Sequence, residues 1–560
     1  MEEKNLISNL ENELNKAPII SGGNTNMSLS NILNSINKKE PTFELNPQFP
    51  TIRYIKEDEF MHDIYEYVEP NFTESTTKDN AKFILFSAPG ATGKSALSKH
   101  ICREYKGIYW ELPNCKVAEF SFQGAIMEAV GNNKVSEFIE SLKKGTNFLV
   151  IDAFDEAEAG SGRTGIEFFL RDLNNVTNEC INICAILLAR TESAIFIKNY
   201  CFQHNIPFKH YEVCYFSEEN AKLYIKKGLE RFRIPITDIV NECIDKQFKE
   251  ITRILGDVDA TAFLGYAPVL NALSASYAAD RNTLNLLKNI HNSESSNHLL
   301  KEILDNLLKR EREKFIQALK VKLPQITEEL PNVYNETEQL LRIFEKIAYN
   351  GEIFLSTIDT SIPIEYHQEY LEVVDVQLPQ HPFIKATEKN GCAIYNFTGT
   401  AFRDYVIAYG LSLEDANEFV RDYIDNIKYS PSQLLIGFYN IFSKGTIYGI
   451  DIPVIYNSFT AYAQFGDKIN IYINGDKTDC SIEFMLERNN KKILILDFNI
   501  TLLDTGISVN QLSNCYIDIE GKIYVGNSTN EARIYNSIIN CDEIIWRSEH
   551  VSIEAYSPGE

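Results

Sequence analysis

The stretch FILFSAPGATGKSALSKHI, Phe83 to Ile101, carries an apolar strand through a glycine-bearing turn and straight into a helix. Its turn, APGATGKS, has the Walker A pattern, with Ala88 standing where glycine is commoner. Gly90 and Gly93 permit a backbone that bulkier side chains would obstruct. That backbone points successive N–H groups inward, where they cradle phosphate oxygens. The candidate cradle is therefore Ala88, Pro89, Gly90, Ala91, Thr92, Gly93, Lys94 and Ser95. Lys94 supplies positive charge to the β- and γ-phosphates, and Ser95 offers its hydroxyl to Mg²⁺. The helix that opens at Lys94 aims the positive end of its dipole at the same anion. The implied cofactors are ATP or GTP with Mg²⁺. The competing reading is a glycine-containing strand–helix turn with no ligand.

At 560 residues the chain is too long for one ordinary core, and three or four domains are expected. Hydrophobic residues make up 44% and charged residues 24%, as in ordinary globular proteins. The formal net charge of -24 argues against bulk attraction to nucleic acid or to an anionic membrane. Eleven cysteines are scattered without a C-x-x-C pair, which fits free thiols in a reducing compartment. Apolar runs such as CAILLA are too short to span a bilayer, and the acidic start MEEKNLISNL is unlike a secretory signal. A cytoplasmic protein with no membrane partner is expected.

Four regions follow from the pattern along the chain. Residues 1–50 read as a short helix and a linker rich in Asn and Ser. Residues 51–235 alternate strand candidates (KFILFSA, GIYWEL, NFLVIDA, ICAILLA, YEVCYF) with helical periods, which implies an α/β P-loop NTPase core with a parallel sheet covered on both faces. One helix there, SEENAKLYIKKGLERF, has Ser217 as its expected N-cap. Residues 236–440 are dominated by helical periods, the longest being HLLKEILDNLLKREREKFIQALK. Residues 445–560 change to short β-branched and aromatic strands broken by Asn, Gly, Asp and Ser. In that last region NCYIDI and NCDEII suggest a repeat of about 26 residues, so a β-solenoid is expected over an irregular sandwich.

Further candidates follow the turn. NFLVIDAFDEAE ends an apolar strand on Asp152, where a carboxylate can hold the hydration shell of Mg²⁺. Asp155 and Glu156 follow at once, placed to orient or polarise an attacking water. ICAILLARTES puts Arg190 at the end of another apolar strand, where it can sense a γ-phosphate; an ordinary solvent-facing arginine is the alternative. Pro268, in FLGYAPVLNAL, suits the first turn of a helix and can also pack against a base.

With these residues in view the chain resembles the NACHT-type STAND NTPases. LVIDAFDEA is similar to their Walker B signature, with the small Ala153 after the magnesium aspartate and two acids at a fixed gap. LLARTE resembles their sensor strand ending in arginine, YAPVLNAL their helical-domain proline motif, and YNFTGTAFRDYVIAYGL an element of their winged-helix region. The resemblance covers about Ile52 to Leu411. It implies a nucleotide-loaded switch that changes shape and forms a homo-oligomer on activation. In bacteria it further implies antiphage defence and a phage-derived ligand; because no catalytic output constellation is read in the chain, a separate effector protein encoded nearby is expected. The sequence departs from the family at Gly399, where a histidine that touches the bound diphosphate is usual. A motor-like or remodelling ATPase, and a nucleotide-bound scaffold, are the alternatives.

Overall fold

The computed structural model describes residues 25–36, 43–56, 67–77, 80–90, 92–112, 117–180, 182–279, 293–356, 359–389, 392–413, 417–426, 429–475, 480–501, 507–509, 511–513, 515–526, 532–535, 537–548 and 550–554. Its contacts group the chain into two compact units. The first holds Met1–Ile236, Leu264–Ser274 and Lys385–Ile394; the second holds Thr237–Phe263, Ala275–Ile384 and Tyr395–Glu560.

The first unit is built on an eight-stranded sheet. Its strands are β1 (Thr25–Met27), β2 (Ile52–Arg53), β3 (Phe72–Thr77), β4 (Phe83–Ala88), β5 (Ile108–Glu111), β6 (Leu149–Asp152), β7 (Ala185–Arg190) and β8 (Phe208–Val213), in the order β1-β3-β8-β4-β7-β6-β5-β2. The five central strands, β8 to β5, run parallel. Four of them, β4, β7, β6 and β5, carry continuous apolar runs, because a parallel sheet covered on both faces buries nearly every side chain. β4 shows this directly: all six of its residues are buried. Phe83 and Leu85 enter one core, while Ile84, Phe86 and Ala88 enter the other. On the first side Trp110, Phe122, Phe154 and Phe169 interlock, with ring centroids 5.4–5.7 Å apart.

The expected parallel sheet needs correction at its edges, where it is mixed. β3 pairs antiparallel with β8, β1 with β3, and β2 with β5. β3 reads FTESTT, with a single large apolar residue, so no hydrophobic period announces it. It is a strand because β8 offers an unpaired edge. β1 and the short helix Leu29–Ile32 come from the stretch expected to be helix and linker, and Leu29, Ile32 and Leu33 enter the core. The last parallel strand is also displaced. YEVCYF points to Tyr211–Phe216, yet β8 starts at Phe208. The buried His210 interrupts the apolar run, and its Nε2 lies 2.7 Å from Ser87 Oγ on β4. Ser217 caps the helix Glu218–Arg231 as expected, accepting from the Asn220 N–H at 3.3 Å.

The second unit begins with helices, among them Asp238–Leu255, the 30-residue Ser293–Lys322, Glu336–Ala348, His367–Gln377, Thr400–Ser412 and Gln433–Phe442. In chain order a two-stranded sheet of β9 (Ile384–Lys389) and β10 (Cys392–Phe397), whose residues Lys385–Ile394 belong to the first unit, falls between His367–Gln377 and Thr400–Ser412. The C-terminal strands are β11 (Thr446–Tyr448), β12 (Lys468–Gly475), β13 (Cys480–Arg488), β14 (Lys491–Thr501), β15 (Ile507–Val509), β16 (Gln511–Ser513), β17 (Cys515–Ile519), β18 (Lys522–Val525), β19 (Ala532–Tyr535), β20 (Ile538–Asn540), β21 (Glu543–Trp546) and β22 (Val551–Glu554). β12, β13 and β14 form an antiparallel meander. β17 and β20 then add in parallel to β12, while β15-β18-β21 and β16-β19-β22 form two further parallel ladders.

The sequence match of NCYIDI with NCDEII would set Tyr516 against Asp542. The ladder instead pairs Tyr516 with Ile538, so the repeat is shorter than the match suggested. A row of isoleucines, Ile473–Ile517–Ile539, sets that register. Ile473 and Ile517 are fully buried, and a one-residue slip would turn them outward.

Candidate functional site

β4, β7 and β6 lie side by side in the sheet and finish at the same end, with Ala88 paired to Arg190 across β4 and β7. Open α/β sheets bind ligands just beyond the carboxyl ends of their strands. Three chain segments that are remote in sequence therefore deliver their polar residues to one place.

The turn after β4 leads into the helix Lys94–Tyr105. Thr92 Oγ1 donates to the Pro89 carbonyl at 2.8 Å, closing the turn on itself. Gly93 caps the helix at φ 88°, in the left-handed region, and a Cβ there would meet nothing within 4 Å. Glycine is needed for its backbone, not for space. Gly90 is buried, Lys94 is partly buried and Ser95 is exposed. Ala91 lies outside the described residues.

Asp152, the last residue of β6, is 2% exposed. Its Oδ2 accepts from Ser98 Oγ and from the Tyr109 hydroxyl, each at 3.0 Å, and its Oδ1 from the Ala153 N–H at 2.9 Å. Ala153 sits at φ 61° and turns the chain sharply into the helix that starts at Phe154. A non-glycine residue there carries strain of about 1 kcal/mol or more. That turn sets Asp155 and Glu156 in the first turn of the helix. The helix breaks at Gly162 (φ 70°, ψ 170°), so the segment bearing the acids is short.

Arg190 Nε donates to Asp155 Oδ2, the two side chains being 18% and 8% exposed. Arg190 Nη1 and Asp155 Oδ1 are both buried with no hydrogen-bond partner among the described residues. Burial alone would raise the Asp155 carboxyl, but Lys94 and Arg190 outweigh it and hold it below its usual value. Desolvation pulls the Lys94 ammonium down to about 8, with Asp155 opposing the shift and Arg190 adding to it. Desolvation and the charge of Asp155 push the Glu156 carboxyl up, although Glu156 keeps substantial contact with solvent. Lys94, Asp152, Asp155, Glu156 and Arg190 thus share one electrostatic environment.

Pro268 is buried in the first turn of the helix Ala267–Ala279. The contact with the phosphate turn is made two residues earlier. Tyr266, 1% exposed, donates its hydroxyl to the Gly90 carbonyl at 2.8 Å. The Tyr215 ring meets Tyr266 edge-on at 5.7 Å, and its own hydroxyl is buried without a hydrogen-bond partner among the described residues. Ser98, Tyr109, Tyr215 and Tyr266 were not foreseen from the sequence. The one available signal was an aromatic residue beside Pro268; the other three belong to no spaced motif.

The residues fit a triphosphate with its metal on physical grounds. A left-handed glycine opens a helix beside a lysine, and an orphaned carboxylate oxygen and an orphaned guanidinium nitrogen lie nearby. Among the described residues no three His, Cys, Asp or Glu side chains converge as a metal cluster. Mg²⁺ does not require one, since it usually keeps several waters and takes one or two protein ligands beside phosphate oxygens. Among the described residues no helix is long and apolar enough to cross a membrane.

No family model matches the sequence, and no curated protein matches it. Among solved structures the chain is similar to a Walker-type ATPase of Pyrococcus abyssi, at 13% identity over 62% of this chain and 96% of that one, with a TM-score of 0.33. It is also similar to the ORC2 protein of Aeropyrum pernix, at 13% identity, 63% and 89% coverage and a TM-score of 0.28. RuvB of Thermotoga maritima follows at 14% identity, 57% and 86% coverage and a TM-score of 0.26. These neighbours are P-loop ATPases. The α/β P-loop type of the first unit rests on its own strand order and turn.

Proposed function

We propose that the chain is a Mg²⁺-dependent nucleoside triphosphate switch of the NACHT-like STAND kind, binding ATP or GTP and hydrolysing it slowly. The observation that carries this reading is the Arg190–Asp155 pair beside Lys94, with one polar atom of each partner buried and unsatisfied. Such atoms cost stability unless a ligand pairs with them. A γ-phosphate is a natural partner for Arg190 and Lys94. In this reading, nucleotide loading competes with Asp155 for the arginine.

Pro89 to Ser95 hold the phosphates, Tyr266 keeps the turn in shape, and Pro268 borders the base. Ser95 and Asp152 would hold Mg²⁺, which when bound offsets charge on the phosphate oxygens. Glu156, less acidic than usual and close to Asp155, is the group that accepts a proton from water. Slow turnover follows if Asp155 must first be freed from Arg190. Residues 51–235 are read as the nucleotide module. The helices and hairpin of 236–440 are read as a winged-helix-like relay. Residues 445–560 are read as a recognition region, whose stacked parallel ladders favour a β-solenoid. The homo-oligomer, the phage-derived ligand and the defence role rest on the resemblance, and the separate effector on the lack of a catalytic output constellation in the sequence.

The test is the purified full chain with fluorescent ATP and GTP analogues, with and without Mg²⁺, alongside Glu156→Gln. The expected result is tight Mg²⁺-dependent binding, low turnover, and triphosphate trapped by Glu156→Gln. Rapid sustained turnover without added ligand would favour the motor reading instead. Failure of either nucleotide to bind would remove the proposal.

A further inference from the structure

The second unit holds a cavity of about 400 Å³ that has none of the phosphate-turn residues. Its floor is β14. The inward-facing row of that strand runs Leu494, Leu496, Phe498, Ile500. Phe498 and Ile500 are buried, but Leu494 and Leu496 remain partly exposed. Their partners across the ladder, Leu486 and Phe484, are 1% and 0% exposed. Half of an inward row is therefore left uncovered beside neighbours that are fully packed.

The reason lies in the helix Gln433–Phe442 above it. This helix presents Ile436, Gly437, Asn440 and Ile441 to the cavity. A Cβ at Gly437 would overlap the Asn297 side-chain amide, which would have to move out of its place. Asn297 is 8% exposed and hydrogen-bonded to Tyr462, whose hydroxyl donates to the Gln433 carbonyl at 3.1 Å. The polar wall is thus built and held, and side chains that would fill the space are kept out. Lys444 and His298 stand exposed at the rim. Among the described residues no carboxylate lines the cavity, in a chain of net charge -24.

We propose that this cavity binds a small amphiphile, with its apolar body on Leu494, Leu496 and Ile441 and its single anionic end at Lys444 and His298. The volume lies in the range of small-molecule sites, roughly 300–1,000 Å³. Neutral amide and hydroxyl groups from Asn297, Asn440 and Tyr462 orient the body, as a few placed polar groups do in apolar pockets. The site gives the second unit a ligand of its own, independent of nucleotide.

The probe is 8-anilinonaphthalene-1-sulfonate, titrated by fluorescence into the full-length protein, with N-phenyl-1-naphthylamine as its uncharged analogue. The expected result is one saturable sulfonate site, which Leu496→Trp fills and abolishes. Lys444→Gln, at an exposed position that leaves folding alone, should weaken the sulfonate about tenfold and leave the uncharged analogue unchanged. If Leu496→Trp does not fold, the Lys444→Gln arm decides. Sulfonate binding that Lys444→Gln leaves intact, or that the uncharged analogue matches in affinity, would overturn the proposal. Nucleotide binding is not a readout, so failure here leaves the reading of the first unit standing.

Discussion

Two arginines, one in each unit, sit in buried ion clusters that differ in how fully their groups are paired. Arg342, on the helix Glu336–Ala348, is 0% exposed and has a partner for every arm described. Its Nε donates to Glu338 Oε1 at 3.0 Å, its Nη1 to Glu345 Oε2, and its Nη2 to the Asp359 carbonyl at 3.2 Å. The acids are finished too. Glu338 Oε1 also accepts from Tyr370 at 2.7 Å and Thr360 at 2.8 Å, and Glu345 Oε1 from the Phe354 N–H at 2.6 Å. Arg190 and Asp155 form a pair with an orphaned nitrogen on one side and an orphaned oxygen on the other. A closed cluster ties helices to loops and has no capacity left for a ligand. An open one at the carboxyl ends of parallel strands has unspent hydrogen-bonding capacity. The closed cluster is also the more deeply buried, at 0–4% exposure against 18% and 8%, but what bears on a ligand is that its groups are already paired.

The difference can be broken first from the closed side. Arg342→Ala leaves two carboxylates buried without their cation, and should cost about 3–5 kcal/mol in the second unit. Denaturant unfolding of the full chain checks this; a loss within about 1 kcal/mol would mean that the network relaxes and the contrast is empty. Next comes Lys94→Ala, which removes the charge aimed at phosphate while touching no core. Nucleotide affinity should fall about 100-fold, as for loss of a charged hydrogen bond or two, with the unfolding curve unchanged. Parent-like binding would show that the turn is not a phosphate cradle.

A smaller effect follows from acidity. Lys94 titrates near 8 without ligand, and a bound anion raises that value. Affinity should be flat below about pH 8 and weaken above it, by about tenfold at pH 9, with proton uptake on binding. Lys94→Arg should flatten the profile, because guanidinium keeps its proton; a flat profile in the parent would contradict the shift. Smallest of all is the stability change in Arg190→Gln. Lys94 remains to balance Asp155, so unfolding should move by about 1 kcal/mol, as for the net loss of one hydrogen bond, whereas triphosphate and diphosphate should become harder to distinguish. A stability loss as large as that of Arg342→Ala would make Arg190 another structural arginine.

Legibility in the sequence followed the range of the interactions. The cradle, the strand ending on Asp152 and the cap at Ser217 were readable because each is set by residues within a turn or two. The central strands β4, β5, β6 and β7 were readable because burial on both faces leaves continuous apolar runs. FTESTT could not be seen as β3, since its strand character comes from the edge of β8 and not from its own side chains. The cysteine match misled the C-terminal register because packing rewards the inward isoleucine row, which a text repeat does not weigh. Asp155 and Arg190 were each singled out, for water and for phosphate, but nothing along the chain says that one holds the other.

By itself the sequence determined the local chemistry of this protein: a glycine turn able to adopt a left-handed φ, a lysine and serine after it, acids after one strand and an arginine after another. Those are consequences of backbone freedom and of hydrophobic period, which act between near neighbours. Tertiary structure alone decided that β7 lies between β4 and β6, so that Arg190 reaches Asp155 and both remain partly unsatisfied. It alone brought Tyr266 to the Gly90 carbonyl and left Leu494 and Leu496 uncovered beneath Gly437. The physical reason is common to all three. Which polar atoms are paired and which apolar surfaces are covered depends on segments 35 to 176 residues apart, brought together only by the packed sheet and helices.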